Sequence, residues 1–209
     1  MNTDDLIARL SADVKPVRRQ KLKLGLVLAS MAALGACVVI VLVSQGVRPD
    51  FEKSGTAVAL KVIFSAAFAA AALPVAARLA SPDRTAGVWL RVGAVLLVAS
   101  VLIGAVAIMT HADGSVGPVY EGFPYAFVAI PALATPASFL IFAWYRRFAP
   151  TRLALAGASV GALSGGLGAM AYALICPVDS AGFVSAWYGA SILVCTLVGA
   201  LVGPRVLRW

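Results

Sequence analysis

Six long apolar runs dominate the sequence and limit what the chain can fold into. They lie near residues 22–45, 56–80, 87–109, 123–145, 152–175 and 182–204. Each has about 20 residues or more, which at a rise of ~1.5 Å per helical residue spans the ~30 Å hydrocarbon core of a bilayer. Backbone groups cannot stay unpaired in lipid, so the runs are predicted to be helices rather than open strands. The expected fold is all-α, a six-helix transmembrane bundle embedded in a lipid bilayer.

The composition supports a membrane protein and gives little material for catalysis. The chain is 61% hydrophobic and 12% charged, whereas soluble domains carry roughly a quarter charged residues. It holds one His and three Cys without a CxxC pair, so neither a metal site nor a cofactor is predicted. It also lacks a nucleotide-binding loop, a nucleophile elbow and a metalloprotease motif. We therefore do not expect an enzyme.

The basic residues are distributed unevenly over the two sides of the predicted bundle. Three of them, Arg48, Lys53 and Lys61, fall on one side. The other side carries Arg9, Lys15, Arg18, Arg19, Lys21, Lys23, Arg78, Arg84, Arg91, Arg146, Arg147, Arg152, Arg205 and Arg208. Cytoplasmic connections are enriched in Lys and Arg. Both termini are therefore predicted to be cytoplasmic, and the connections near 46–55, 110–122 and 176–181 are predicted to face outward.

The first 22 residues are expected to form a cytoplasmic arm in front of a transmembrane domain of residues 23–209. The arm is predicted to contain a short amphipathic helix, with Thr3 as its cap and with Asp4 and Asp5 in its first turn, where the helix dipole favours negative charge. An apolar stripe within about 100° of arc is formed by Leu6, Ile7, Leu10 and Val14.

The acidic charge of this helix favours a protein partner over a lipid surface. Helices that lie on anionic lipid are usually rich in Lys and Arg, whereas the aspartates of the arm outnumber its one arginine before residue 15. An acidic amphipathic helix is suited to a protein with a basic surface. The alternative is that it folds back on the membrane domain or frays.

Small residues indicate how the helices pack. Glycines recur at every fourth position in the fifth run, at Gly157, Gly161 and Gly165, and again in the sixth at Gly199 and Gly203. This spacing lets helix backbones approach closely in lipid. The fifth helix is therefore predicted to be central. Kinks in the second and fourth helices are expected at Pro74, Pro131 and Pro136.

The predicted spans hold few ionisable groups. Transporters and pumps usually keep such groups within the bilayer, but here only Lys61 qualifies, because Arg78 and Arg91 are counted with the basic connection between the second and third runs. Lys61 is about one turn from the outer end, and we expect its long side chain to carry the ammonium group to the surface. The membrane domain therefore resembles a scaffold or a sensor more than a transport machine.

A short polar break separates the last two apolar runs, with the sequence Cys176-Pro177-Val178-Asp179-Ser180. Cys176 is the one cysteine outside an apolar run, whereas Cys37 and Cys195 are expected near mid-membrane as apolar filler. Cys176 is the candidate sensing residue. It could act as a redox-active thiol, as half of an intermolecular disulfide, or as a metal ligand beside His111; the alternative is a buried, inert cysteine.

Four stretches together resemble the NrsF-type anti-sigma-F factors, which are six-span inner-membrane proteins. They are Thr3-Asp4-Asp5-Leu6-Ile7 with Val17-Arg18-Arg19, Ala149-Pro150-Thr151-Arg152, Cys176-Pro177-Val178-Asp179-Ser180 with Trp187-Tyr188-Gly189, and Gly203-Pro204-Arg205-Val206-Leu207-Arg208-Trp209. The resemblance implies an inner-membrane protein whose cytoplasmic arm holds an extracytoplasmic-function (ECF) sigma factor of the sigma-F type inactive, without binding nucleic acid directly.

The resemblance also implies residue roles. The family's sigma-factor-binding residues correspond to Thr3, Asp4, Asp5, Leu6 and Ile7, and the stripe residues Leu10 and Val14 extend that face. Cys176 corresponds to an outward cysteine that takes part in releasing the sigma factor on envelope, metal or oxidative stress.

The sequence departs from the family pattern at a second cysteine. That cysteine ordinarily precedes an Ile-Pro pair in the fourth span. Here the pair is Ile130-Pro131, and the upstream position near Ala126 holds no cysteine. Two other functions stay open from the residues alone, namely a small transporter or channel and a scaffold subunit of a membrane complex.

Overall fold

The computed structural model describes Thr3, Asp5 and residues 19–81, 86–110, 123–148 and 150–208, with the backbone alone at 19–22, 108, 110, 123 and 124. Its long helices follow the predicted apolar runs closely. They are α1 (Arg19–Ser44), α2 (Gly55–Leu79), α3 (Gly87–Thr110), α4 (Phe123–Tyr145), α5 (Leu153–Tyr172) and α6 (Ala181–Val206).

The predicted all-α fold is confirmed. Six helices are long and apolar enough to cross a membrane, and the described part of the chain contains no strand. Within the predicted arm helix, Thr3 and Asp5 are helical and exposed. The other residues of the predicted partner face lie outside the described residues; they are Asp4, Leu6, Ile7, Leu10 and Val14.

Helix α5 forms the centre of the bundle, as its glycine spacing predicts. Its apolar window is 67% buried, compared with 11% for α3 at the periphery. It packs against α6, α2, α4 and α1. Because small side chains line several faces of α5, the neighbouring helices can approach it on more than one side.

The two glycine stripes lie directly against each other. A Cβ atom added to Gly157 would lie 2.1 Å from the Gly199 carbonyl oxygen, and one added to Gly161 would lie 2.1 Å from the Cys195 carbonyl oxygen. Such distances are shorter than any van der Waals contact, so only glycine fits there. The contact between α5 and α6 therefore brings backbone against backbone.

A left-handed glycine turns the chain back between α1 and α2. Gly46 has φ 73°, and its amide donates to the Val41 carbonyl at 3.2 Å. This is the usual way in which a helix C-terminus is closed, and it favours glycine. Two residues later, the amide of Arg48 donates to the Leu174 carbonyl at 3.3 Å. The turn thereby places Arg48 against the end of α5.

Helix α6 contains a π-helical segment near its start, Val184–Tyr188. Helix α3 packs closely beside it, since a Cβ atom on Gly104 would lie 2.6 Å from the Ala186 Cα and one on Gly189 would lie 2.7 Å from the Ser100 Oγ. A π-turn inserts one extra residue into the helix. The segment therefore shifts the faces of α6 on which the side chains before and after it lie.

Candidate functional site

A cluster of charged groups lies at the end of the bundle where α1, α3 and α5 finish and α2, α4 and α6 begin; we term this the Cys176 end. The cluster joins three parts of the chain: the α1–α2 connection, the first turns of α2, and the α5–α6 connection. Its members, called the Asp179 cluster below, are Arg48, Asp50, Lys61, Asp179 and the backbone carbonyl of Cys176.

The carboxylate of Asp179 is the common acceptor of the cluster. Arg48 donates to it through both terminal nitrogens, with Nη1–Oδ1 at 2.8 Å and Nη2–Oδ2 at 3.2 Å. Lys61 Nζ donates to the same Oδ1 at 2.7 Å. A paired arrangement of this kind fixes the orientation of the guanidinium and also strengthens the contact. One carboxylate thus holds two cations that come from separate parts of the chain.

Lys61 does not reach the surface, and the expectation that it would is wrong. The residue is 1% exposed, and its ammonium group donates to the Cys176 carbonyl at 2.9 Å as well as to Asp179. Taking an ammonium group out of water is costly unless it is paired and hydrogen-bonded. The carboxylate of Asp179, which lies 118 residues away along the chain, supplies the pairing that makes burial tolerable.

Arg48 is the second buried cation. It is 7% exposed, and it donates to the Cys176 carbonyl at 3.1 Å and to Asp50 at 3.1 Å. The hydrogen bonds that Arg48 donates to Asp179 are the main cause that raises the pKa of Arg48 above its ordinary value. The Arg48 guanidinium in turn lowers the pKa of Asp179, with help from Lys61, and also that of Asp50. Arg48, Asp50 and Asp179 are therefore charged at neutral pH.

The carboxylates differ from the cations in exposure. The side chain of Asp179 is 35% exposed and that of Asp50 is 58% exposed. Asp50 therefore lies at the rim of the cluster, where water screens its charge. Asp179 lies between the buried cations and the surrounding solvent.

Cys176, the predicted sensing residue, contributes its backbone to the cluster while its thiol points into the protein. The residue is 1% exposed, its thiol is free, and Sγ lies 3.7 Å from the Val178 carbonyl oxygen. The thiol also lies near the hydroxyls of Tyr172 and Tyr188, whose ring centroids are 5.7 Å apart. In this conformation the thiol is shielded from reagents in solution.

Local sequence explains why the Cys176 carbonyl is available. Just after α5 the chain tightens, since the Ile175 amide donates to the Tyr172 carbonyl, three residues back, at 3.1 Å; the Cys176 amide donates to the same carbonyl at 3.1 Å. Pro177 disfavours a helical conformation at the residue before it and has no N–H of its own. No helical turn follows Cys176, and its carbonyl therefore accepts from Lys61 and Arg48 instead.

The described residues also bear on the metal site suggested for Cys176. Among them, no set of three or more His, Cys, Asp or Glu side chains lies close enough to hold a metal ion. A cleft of about 220 Å³ beside α2, α3 and α5 is lined by apolar groups with Ser159 and Thr196. Both hydroxyls donate to carbonyls of their own helices. His111, the suggested partner of Cys176 in a metal site, lies outside the described residues.

The Asp179 cluster was not predicted as a unit, although the sequence contained one signal for it. An ionisable residue inside an apolar run usually has a functional or structural partner, and Lys61 is such a residue. The sequence predicts Asp179 to be an outward polar residue but indicates no cation as its partner. What the sequence does not give is the approach of residues 48, 61 and 179, because it depends on how α2 and α5 pack.

Comparison with known proteins gives a consistent result over the whole chain. The profile of the family described as "Negative regulator of sigma F" (NrsF) matches residues 10–209. The anti-sigma-F factor NrsF of Caulobacter vibrioides is 31% identical over 222 residues, covering all of both chains. A probable anti-sigma-F factor NrsF of Azospira oryzae is 30% identical over 220 residues, again covering both chains fully. No solved structure matches the chain.

Proposed function

The chain belongs to the NrsF family of negative regulators of sigma F, and on that basis we propose that it is a membrane-bound anti-sigma factor that sequesters an ECF sigma factor. The observation that carries the proposal is the extent of the match, which takes in all the helices able to cross a membrane. Anti-sigma factors act by binding rather than by catalysis.

The proposed contact surface is the cytoplasmic arm. Its apolar stripe would pack against the sigma factor, and its aspartates would meet a basic surface of that partner. The residues that we assign to this contact are Thr3, Asp4, Asp5, Leu6, Ile7, Leu10 and Val14. The exposure of Thr3 and Asp5 is compatible with such a contact.

The arm can be tested by placing charge on its apolar stripe. Leu6→Asp/Leu10→Asp should abolish co-purification of the sigma factor with the full-length protein and should relieve repression of a sigma-dependent promoter. Ala8→Asp/Ala12→Asp is the matched control, because it adds the same charge on the opposite side of the predicted helix. Undiminished capture of the sigma factor by the stripe variant would exclude this face as the contact.

We further propose that Cys176 takes part in release of the sigma factor during envelope, metal or oxidative stress. Its burial means that a conformational opening would have to precede reaction of the thiol with a reagent. Cys176→Ser should abolish induction of the promoter by an oxidant or by cadmium. Cys195→Ser, which alters another buried thiol, should leave induction intact. Normal induction in the Cys176→Ser strain would end this hypothesis.

The proposed location is the inner membrane, with both termini in the cytoplasm. The proposal rests on the distribution of basic residues and on the need for the arm to meet a cytoplasmic sigma factor. In this arrangement the Cys176 end would face outward and the arm inward, so a signal would have to cross the bundle.

A further inference from the structure

We propose that the Asp179 cluster is a latch that holds the protein in its sigma-factor-binding state, and that separation of Asp179 from Arg48 and Lys61 favours release. This inference rests on the proposed anti-sigma function and adds the element that regulates it. The latched state is the one in which Asp179 accepts from Arg48 at 2.8 Å and from Lys61 at 2.7 Å. In the unlatched state, water would replace these contacts.

The distribution of charge makes the cluster suited to two discrete states. Both cations are buried, whereas their shared carboxylate is on a short connection and is about one third exposed. If that carboxylate leaves, two like charges remain in a site with little water, and Asp50 at the rim contacts Arg48 alone. Buried charges without a partner are strongly unfavourable. The cations must then move toward solvent, and the segments that carry them must move as well.

The position of Arg48 connects the cluster to the arm. Arg48 follows α1 closely, and its amide is bonded to the Leu174 carbonyl at 3.3 Å. Helix α1 is continuous from Arg19 to Ser44, so its first four residues are also the last four of the arm. The apolar window of α1 is 28% buried, so much less of its surface is held by the bundle than that of α5. A displacement at Arg48 can therefore be passed along α1 to the arm.

The cluster also includes the residue at which a signal is proposed to arrive. The Cys176 carbonyl accepts from Arg48 Nη1 and from Lys61 Nζ. Any displacement of the Cys176 backbone therefore alters the hydrogen bonds of both cations. Coupling between two sites requires that each site make different contacts in the two states of the protein. In this account the latch couples the α5–α6 connection to α1.

The test removes the charge of Asp179 in the full-length membrane protein. Asp179→Asn should raise the uninduced activity of a sigma-dependent promoter by at least about tenfold. The reason is that loss of one partner of a buried charge pair shifts the equilibrium between the latched and unlatched states by that factor or more. The amount of sigma factor that co-purifies, normalised to the amount of membrane protein, should fall. Glu52→Gln is the control: it neutralises an exposed carboxylate in the same α1–α2 connection, outside the cluster, and should behave like the wild type.

A second variant distinguishes loss of the latch from simple misfolding. Lys61→Met/Asp179→Asn removes one cation together with the carboxylate, which leaves Arg48 with Asp50 and restores the balance of charge. It should accumulate in the membrane like the wild type and still fail to repress. Full repression by either variant at normal membrane level would overturn the latch. If the wild type itself captures no sigma factor and represses nothing, the anti-sigma function fails instead, so the two failures are distinguishable.

Discussion

At the scale of single residues, the most informative group is the carboxylate of Asp179, because its charge compensates two cations in a largely apolar protein. Arg48 and Lys61 together stabilise the ionised form and lower its pKa. The arrangement stabilises the folded state only when it is complete. Removal of one partner from a buried ion pair leaves the other charge uncompensated and destabilises the fold by about 3–5 kcal/mol. The partial exposure of Asp179 places its own contribution toward the low end of that range.

This charge arrangement predicts a specific loss of stability in acid. The pKa of Asp179 is lowered in the folded protein, so its contribution is present above its ordinary value of 3.8 and is lost as the pH falls through the lower folded value. We therefore expect the melting temperature of the detergent-purified protein to decrease when the pH is lowered below about 4. The Asp179→Asn variant should be less stable at pH 7 and should lose less on going from pH 5 to pH 3.

The acid-dependent contribution of Asp179 can be separated from that of the other carboxylates and from that of Arg48. The chain has nine Asp and Glu residues, so the difference between variant and wild type is the relevant quantity, rather than the acid profile itself. Arg48 adds nothing in this range, because its raised pKa affects stability only at strongly alkaline pH. An identical pH 5 to pH 3 change in melting temperature for Asp179→Asn and wild type would show that the cluster does not titrate as described.

At the scale of helices, the bundle depends on the backbone contact between α5 and α6. A methyl group at Gly157 would lie 2.1 Å from the Gly199 carbonyl oxygen and 2.7 Å from the Gly203 Cα. Backbone atoms cannot move aside as a flexible side chain can, so Gly157→Ala should force the helices apart. The expected destabilisation is about 1–3 kcal/mol, as for other overpacked sites, and it is measured by thermal unfolding in detergent.

Gly93→Ala is the matched control for this prediction. Gly93 also lies within a helix, but a Cβ atom there would meet nothing within 4 Å. Since alanine favours a helix over glycine by ~1 kcal/mol, this variant should be unchanged or slightly more stable. Equal melting temperatures for Gly157→Ala and Gly93→Ala would mean that the two helices are not in close contact.

The same helices indicate what a sequence can and cannot reveal. The spans and the central place of α5 follow from apolar length and glycine spacing, which are local properties of the chain. The π-segment at Val184–Tyr188 has no comparable local signal. The expectation of an exposed Lys61 is wrong because its partner, Asp179, is 118 residues away and comes close only once α2 and α5 have packed. Local patterns therefore predict elements well and long-range polar pairs poorly.

At the scale of the whole molecule, orientation connects the two ends of the proposed mechanism. Six helices able to cross a membrane place both termini on the same side if all of them do so. The imbalance of basic residues is the reason for our proposal that this side is the cytoplasm. The arm and the Asp179 cluster would then lie on opposite sides of the membrane, with α1 as the direct covalent route between them.

Reporter fusions to the full-length chain test this orientation. Alkaline phosphatase, which is active only outside the cytoplasm, should be active when inserted in the connection at 111–122. It should be inactive when inserted at 82–85 or fused after Trp209, where a fluorescent protein that folds in the cytoplasm should instead give signal. Immunoblots control for the amount of each fusion. Phosphatase activity at the C-terminus would place the arm outside, and no cytoplasmic sigma factor could then reach it.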